Sequence, residues 1–384
     1  MSHRFDDLRL DDLRQRRSMK WRMHPADVLP MHVAELDFPL AEPIRAGVAE
    51  LLERGDTGYV VPLELPETYA TFAAARYGQQ LDPARCFPIG DVMQGVYAAL
   101  RSLTGRGAGV VICPPVYHPF FATIGAAGRQ VVSVPLILDA GSGKYDLDLA
   151  GLDRAFADGA AALLLCSPHN PIGRLWSAAE LSAVAEVADQ HGVLVLSDEI
   201  HAPMTYDTPF VPFATLDSGA VDRSITFVSA SKAWNLPGLK CALAVPGSPP
   251  LAEHWAGLPE LIGIATSIFG VAAGSAAFRS GTPWLDDTLG YLDGNRRLLA
   301  ELLAQRLPDV RYRLPEATYL AWLDCRALGL GPDPSQVFLD RGRVALVSGL
   351  RYGPEGAGFA RLNLGTSRAL VAEGVDRMAT AIGR

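Results

Sequence analysis

The sequence is short of positive charge. Its 34 Lys and Arg residues are outnumbered by 42 Asp and Glu, for a formal net charge of −8 at pH 7. No basic run offsets that balance, so a nucleic-acid partner is not expected. The densest cationic patch, residues 14–22, is short and interrupted and reads as solvated helix surface. Cysteine is scarce too. Cys86, Cys113, Cys166, Cys241 and Cys325 are odd in number, scattered, and mostly set in apolar runs. That pattern excludes a disulfide framework or a metal site and fits reduced, buried thiols in a cytoplasmic protein. The first residues, Met1-Ser2-His3-Arg4-Phe5-Asp6-Asp7, lack the apolar core of a signal peptide. Long hydrophobic runs are missing as well. The nearest candidate, 261–278, is uncharged throughout but rich in Gly, Ala, Ser and Thr. It predicts a buried helix or close-packed interface and no membrane span.

What is present describes an ordinary globular chain. With 384 residues, 49% hydrophobic and 20% charged, it is too long for one small core, and two subdomains are expected. Apolar runs at 109–113, 130–134, 161–166, 193–197 and 225–228 lack polar alternation, the mark of strands buried on both faces. Helical patterns separate them, as at 177–188, where Ser177 and Glu180 have capping-box spacing. Repeated β-α-β units predict a mainly parallel sheet sandwiched by helices, with ligands outside the carboxyl ends of its strands. A long charged helix is expected near 283–305. Residues 311–384 read as a small α+β unit with strands at 318–323 and 360–364. The expected division is an N-terminal arm at 1–44 joined to the small domain, a large domain at 45–280, and a C-terminal small domain at 281–384.

Residues able to do chemistry fall at those strand ends. Ser229-Ala230-Ser231-Lys232 follows the 225–228 run, and Lys240 lies further along the same loop. A partly desolvated lysine there can hold a carbonyl compound as an imine, while the hydroxyls and second cation suit a phosphate. The segment reads as a seat for pyridoxal phosphate (PLP), although a surface lysine after a strand is the commoner case. Asn170, in Asn170-Pro171-Ile172-Gly173, belongs either to a plain β-to-α turn or to a ligand-facing amide. Asp198, in Ser197-Asp198-Glu199-Ile200-His201, would be costly to bury without a cation. A pyridinium nitrogen would serve, and a helix cap or a magnesium ligand is the alternative. The turn at Gly90 leads into a helix whose first free amides could face a phosphate, although many helices begin this way. Tyr117 could stack on a flat cofactor or fill core. Arg361, inside an apolar strand pattern, needs an anion: a substrate carboxylate or a structural ion pair.

Asn170, Asp198, Lys232 and Arg361 occur in the order and contexts of fold-type I PLP enzymes of aminotransferase class I/II, and this resemblance spans nearly the whole chain. More narrowly, the chain resembles the cystathionine β-lyase branch, the MalY/PatB-type C–S lyases. Leu29-Pro30-Met31-His32-Val33-Ala34-Glu35-Leu36-Asp37-Phe38 is similar to that branch's W-V-A-D-M-D-F, and Gly58-Tyr59-Val60-Val61-Pro62 to its G-Y-t-x-p. Pro115-Val116-Tyr117, Asn235-Leu236-Pro237-Gly238-Leu239-Lys240, Trp284-Leu285-Asp286, Tyr291-Leu292 and Asn295-Arg296 also match.

The resemblance implies a seven-stranded sheet of the PLP fold with a smaller α+β domain. It makes Lys232, Asp198 and Tyr117 catalytic: Lys232 carries the cofactor and shuttles protons, Asp198 pairs with the ring nitrogen, and Tyr117 stacks on the ring. Asn170, His201, Val92, Met93, Ser229, Ser231 and Lys240 complete the cofactor contacts, with Tyr59 reaching the phosphate from a second subunit. Arg361, Asn170, Ala34 and His118 bind the amino-acid substrate. A homodimer with shared active sites follows. The implied reaction is α,β-elimination of cystathionine or a cysteine S-conjugate to thiol, pyruvate and ammonia. The same machinery suits an aminotransferase or a decarboxylating deaminase, and a protein-binding regulator is a third class.

The chain departs from the branch where the substrate would enter. His32 and Glu35 replace Trp and Asp, and His118 stands where a second tyrosine often follows Tyr117. Gly365-Thr366-Ser367-Arg368 replaces A-C-P-R, and Phe210-Val211-Pro212 lacks the histidine of H-x-P. A bulkier or specialised cysteine conjugate is the expectation.

Overall fold

Strands that are apolar at every position need cover on both faces, and the fold supplies it. The computed structural model describes residues 3–61 and 64–384. Its larger sheet has seven strands: β1 (Phe87–Ile89), β2 (Gly109–Ile112), β3 (Gln130–Ser133), β4 (Ala162–Cys166), β5 (Leu194–Asp198), β6 (Ser224–Val228) and β7 (Ala242–Pro246). They lie in the order β1-β7-β6-β5-β4-β2-β3. All neighbours are parallel except β7, which runs antiparallel to β1 and β6. Alternate side chains of one strand enter opposite cores. Ala162, Leu164 and Cys166 pack with Ile112, Leu196, Phe227 and the helix residues Val92 and Val96. Leu163 and Leu165 pack with Val195 and the helix residues Leu152, Leu181 and Val184. The expected mainly parallel, helix-sandwiched sheet is present, and the absent polar alternation is explained.

Two local devices aim the helices. Ser177 and Glu180 form the expected capping box: Ser177 Oγ accepts from the Glu180 N–H at 3.2 Å, and Glu180 Oε2 accepts from the Ser177 N–H at 2.8 Å. Gly95 lets the helix Val92–Leu103 lie directly on the sheet. A Cβ there would sit 2.5 Å from Ile89 Cδ1 and 2.7 Å from the Phe227 ring. That contact fixes where the helix's free N–H groups point.

A smaller sheet follows the helix Thr282–Arg306. It contains β8 (Arg311–Tyr312), β9 (Leu320–Asp324), β10 (Val347–Ser348) and β11 (Phe359–Asn363), antiparallel in the order β8-β9-β11-β10. Leu29–Pro30 pairs in parallel with Val344–Ala345, and Leu13, Trp21, Leu29 and Met31 share a core with Leu299, Leu362 and Val375. On this packing we propose that the arm 1–44 and residues 281–384 form one domain and 45–280 the other.

Two readings of the sequence need correction. The 14–22 patch is not simply solvated surface: Lys20 is 1% exposed and Trp21 is buried. Lys20 Nζ donates to Asp37 Oδ2 at 2.8 Å and to the Glu35 carbonyl at 3.2 Å, and Trp21 Nε1 donates to Asp37 Oδ1 at 2.9 Å. A single acidic residue, distant in sequence, turned a surface cation inward. The uncharged stretch 261–278 is also not one helix. It divides into Leu261–Ile264 and Ile268–Ser280, the second started by Ser267, whose hydroxyl accepts from the Gly270 N–H. No helix among the described residues is long and apolar enough to cross a membrane.

Removing one member of a buried ion pair strands the other, so Asp37→Ala should lower folding stability by about 3–5 kcal/mol. The paired change Lys20→Met with Asp37→Leu should lose much less, and chemical unfolding of the two variants compares them directly.

Candidate active site

The carboxyl ends of β4, β5 and β6 are neighbours in register, Cys166 opposite Asp198 and Asp198 opposite Phe227. The end of β5 and the loops leaving β4 and β6 therefore bring Asp198, Asn170 and Lys232 to one edge. Across from them, β11 of the small sheet contributes Arg361, whose Nη1 donates to Asn170 Oδ1 at 3.1 Å. The four candidate residues meet where the two sheets face each other.

Asp198, Lys232 and Arg361 each carry an electrostatic cost that nothing among the described residues fully offsets. Asp198 is 3% exposed and accepts one hydrogen bond, from the Ile200 N–H at 3.1 Å. Burial pushes its carboxyl up to about 6, against a smaller opposing pull from the Lys232 charge. Desolvation, helped by the Arg361 charge, brings the Lys232 amine down to about 8, so neutral amine is available near physiological pH. Arg361 is 3% exposed, yet its partners are the neutral Asn170 Oδ1 and the His32 carbonyl, 2.6 Å from Nη2. Its Nε is buried without a partner, and the guanidinium has no ion pair among the described residues. The geometry thus lacks the structural salt bridge that was one reading of this arginine. The neighbouring Glu199 turns elsewhere, accepting from Ser197 Oγ and the Phe213 N–H, and burial raises it to about 8.

The other end of the edge suits a phosphate. Val92 and Met93 begin the helix Val92–Leu103, so their N–H groups have no acceptor within it. Asp91 caps the same helix through Gln94 and holds Lys240 Nζ at 2.9 Å. Ser229 Oγ and Ser231 Oγ lie 2.9 Å apart beside this turn. Tyr117 is deeply placed, its hydroxyl held well above the usual range by burial and the Asp198 charge. His201 Nδ1 is buried without a partner; burial and the Lys232 and Arg361 charges lower this ring to about 3 and keep it neutral.

The Ala34 carbonyl accepts from Lys232 Nζ and from Tyr319 Oη, both at 3.0 Å. Tyr59 is 90% exposed and is not brought to the site within this chain, and Pro62 of its motif lies outside the described residues.

Three positioning residues escaped the sequence reading. Asn235, left-handed at φ 60°, brackets Leu36 by accepting its N–H at 2.8 Å and donating to its carbonyl at 2.7 Å. Asn363 donates to the carbonyls of Val33 and Glu35 at 2.6 and 2.7 Å. Tyr319 holds Ala34. Together they tie segment 33–37 to the loop that carries Lys232 and the strand that carries Arg361. The signal was local for Asn235, which lies in the Asn235–Lys240 motif, but Asn363 and Tyr319 act on partners distant in sequence.

The donor set fits PLP. A buried carboxylate lacks a cation, free helix amides adjoin two hydroxyls, an amine is partly neutral, and Ser167 Oγ, Thr226 Oγ1 and Arg361 Nε are buried without partners. Comparisons with known proteins agree in kind. The aminotransferase class I and II family model matches residues 44–378. The cystathionine β-lyase PatB of Bacillus subtilis is 36% identical over 361 residues, covering 93% of this chain and 93% of its own. The cystathionine β-lyase of Corynebacterium glutamicum is 33% identical and covers 97% of this chain and 99% of its own. The structure of cystalysin from Treponema denticola, which contains pyridoxal 5′-phosphate, matches with a TM-score of 0.91 at 26% identity over 96% of each chain.

The Lys232 amine is lower folded, at about 8, than unfolded, at 10.5. Its destabilising effect is therefore complete below pH 8 and relieved as pH rises toward 10.5. In cofactor-free protein, Lys232→Met should be more stable than the parent at pH 7 by up to about 3 kcal/mol. That gap should narrow between pH 8 and 10.5, which paired unfolding curves would reveal.

Proposed function

Because this chain belongs to the aminotransferase class I and II family, we infer that it is a PLP-dependent C–S β-lyase acting on cystathionine or another L-cysteine S-conjugate. The observation that carries this reading is the meeting of Lys232, Asp198, Asn170 and Arg361 at one edge, in a chain similar over nearly its whole length to cystathionine β-lyases.

Bound PLP supplies a protonated ring able to delocalise the negative charge left when the substrate's Cα loses a proton. Asp198 would hold the ring nitrogen in its protonated form; pairing there lowers the carboxyl from its raised value and removes the cost of its burial. Asn170 would donate to the ring oxygen, Tyr117 would lie on the ring face, and His201 would adjoin it. Val92 and Met93 N–H groups, Ser229, Ser231 and Lys240 would hold the phosphate. The Arg361 fork would take the substrate α-carboxylate, which fixes the Cα–H bond toward Lys232. Lys232 Nζ, neutral in part near pH 8, takes that proton. Loss of the thiolate from Cβ, followed by addition of water, leaves thiol, pyruvate and ammonia.

Tyr59 is assigned to the phosphate of a second subunit. Its 90% exposure, with Val61 at 72%, leaves this segment open to a second subunit. The helix Leu261–Ile264 adjoins the Gly90 turn, since a Cβ on Gly90 would lie 3.1 Å from the Ala265 carbonyl. A homodimer with shared active sites is the assembly proposed. The free thiols, buried apart from half-buried Cys241, support a reducing, cytoplasmic compartment.

Two results are expected. The holoenzyme with L-cystathionine should release thiol, pyruvate and ammonia without any added oxo acid; product that forms only when an oxo acid is supplied would make the enzyme an aminotransferase. Separately, Lys232→Ala and Tyr59→Ala variants, each impaired alone, should regain activity when mixed and allowed to exchange subunits. In the hybrid, one site receives Lys232 and Tyr59 intact. No regain would place Tyr59 outside the neighbouring site.

A further inference from the structure

Arg361 is assigned to the α-carboxylate, but a second guanidinium at the same mouth has no anion. Arg351 lies in the turn Gly349–Tyr352 ahead of β11 and is exposed. Its Nη2 is 3.0 Å from His118 Nε2, and among the described residues it makes no ion pair. Glu355, nearby in sequence, is not paired with it and has a buried, unpartnered Oε2. The His118 ring is 5.7 Å from the Tyr352 ring, and Arg361 Cζ lies 5.4 Å over that same ring. Arg351, His118, Tyr352 and Arg361 therefore form one wall with a cation at each end.

The polar atoms along this wall are unfilled. A guanidinium only donates, so His118 Nε2 accepts and the ring proton belongs on Nδ1, which is buried without a partner. Tyr352 is fully buried and its hydroxyl also lacks a partner. His32, 7% exposed, has no partner at either ring nitrogen, and its carbonyl is the one held by Arg361. Burial, with the Arg351 and Arg361 charges, lowers His118 to about 4; burial, with the His24 and Lys20 charges ahead of Arg361 and Arg351, lowers His32 to about 3. Neutral rings with open donors between two cations favour a ligand carrying more negative charge than one carboxylate. An apolar thiol half would leave the exposed Arg351 guanidinium without an anion.

We propose that Arg351 and His118 form a second carboxylate subsite for the thiol half of the substrate. The enzyme thereby selects cysteine S-conjugates with a carboxylate on the leaving thiol over those with an apolar one. This rests on the C–S lyase reading. His118 and His32, where the branch carries tyrosine and tryptophan, make this subsite polar, so its specialisation is one of charge and not of bulk.

The test compares holoenzyme and its Arg351→Gln and Arg351→Glu variants on S-carboxyethyl-, S-propyl- and S-aminoethyl-L-cysteine. Arg351→Gln should lower kcat/KM for the carboxyethyl conjugate by about 10- to 100-fold, chiefly through KM, and leave the propyl conjugate within about twofold. Arg351→Glu should reverse the preference toward the aminoethyl conjugate. Equal losses on all three conjugates, or no loss on the carboxyethyl one, would overturn the subsite. If no conjugate released thiol, the lyase reading itself would fail. The subsite would then stand or fall on the same carboxyethyl-to-propyl ratio, read from binding as a change in the cofactor's absorbance.

Discussion

The arrangement depends on buried charge that the chain does not neutralise for itself. Among the described residues, Arg361 has the exposure of a core residue and no anion, and Asp198 has the exposure of a core residue and no cation within hydrogen-bonding reach. Such groups oppose folding. Their persistence at one edge is intelligible when external molecules supply the missing partners, a protonated ring for Asp198 and a carboxylate for Arg361. Like charges share the same space: Arg361 helps bring the Lys232 amine down to about 8, so the group that makes the site receptive also makes the base available.

Holding these charges in place falls to segment 33–37. Its backbone is bracketed by Asn235, three residues after Lys232, and by Asn363, two residues after Arg361. Lys20 and Trp21 fasten the following Asp37 from the N-terminal arm. The arm, the loop after β6 and strand β11 thus converge on one short stretch of chain. The Ala34 carbonyl within that stretch accepts the hydrogen bond from Lys232 Nζ.

Much of this was legible from residue order. Uninterrupted apolar runs identified the central strands, because strands sandwiched by helices need no polar face. The Ser177–Glu180 spacing located a helix start, since a capping box is purely local. Asn170, Asp198 and Lys232 were found because each directly follows such a strand. What escaped depends on partners far away in sequence. Lys20 looked solvated because nothing near it in the chain announces Asp37. The break at 265–267 was hidden because an uncharged Gly- and Ala-rich stretch has no strong period, and only Ser267 marks the second helix. Arg351 was passed over because its meaning comes from His118, which meets it from a distant part of the chain.

The central claim is that Lys232 is the residue that carries PLP. Holoenzyme reduced with borohydride, digested and mapped by mass spectrometry tests it most directly. The account predicts a phosphopyridoxyl mass on the peptide containing Lys232. That mass on another lysine such as Lys240, or on no peptide at all, would contradict it.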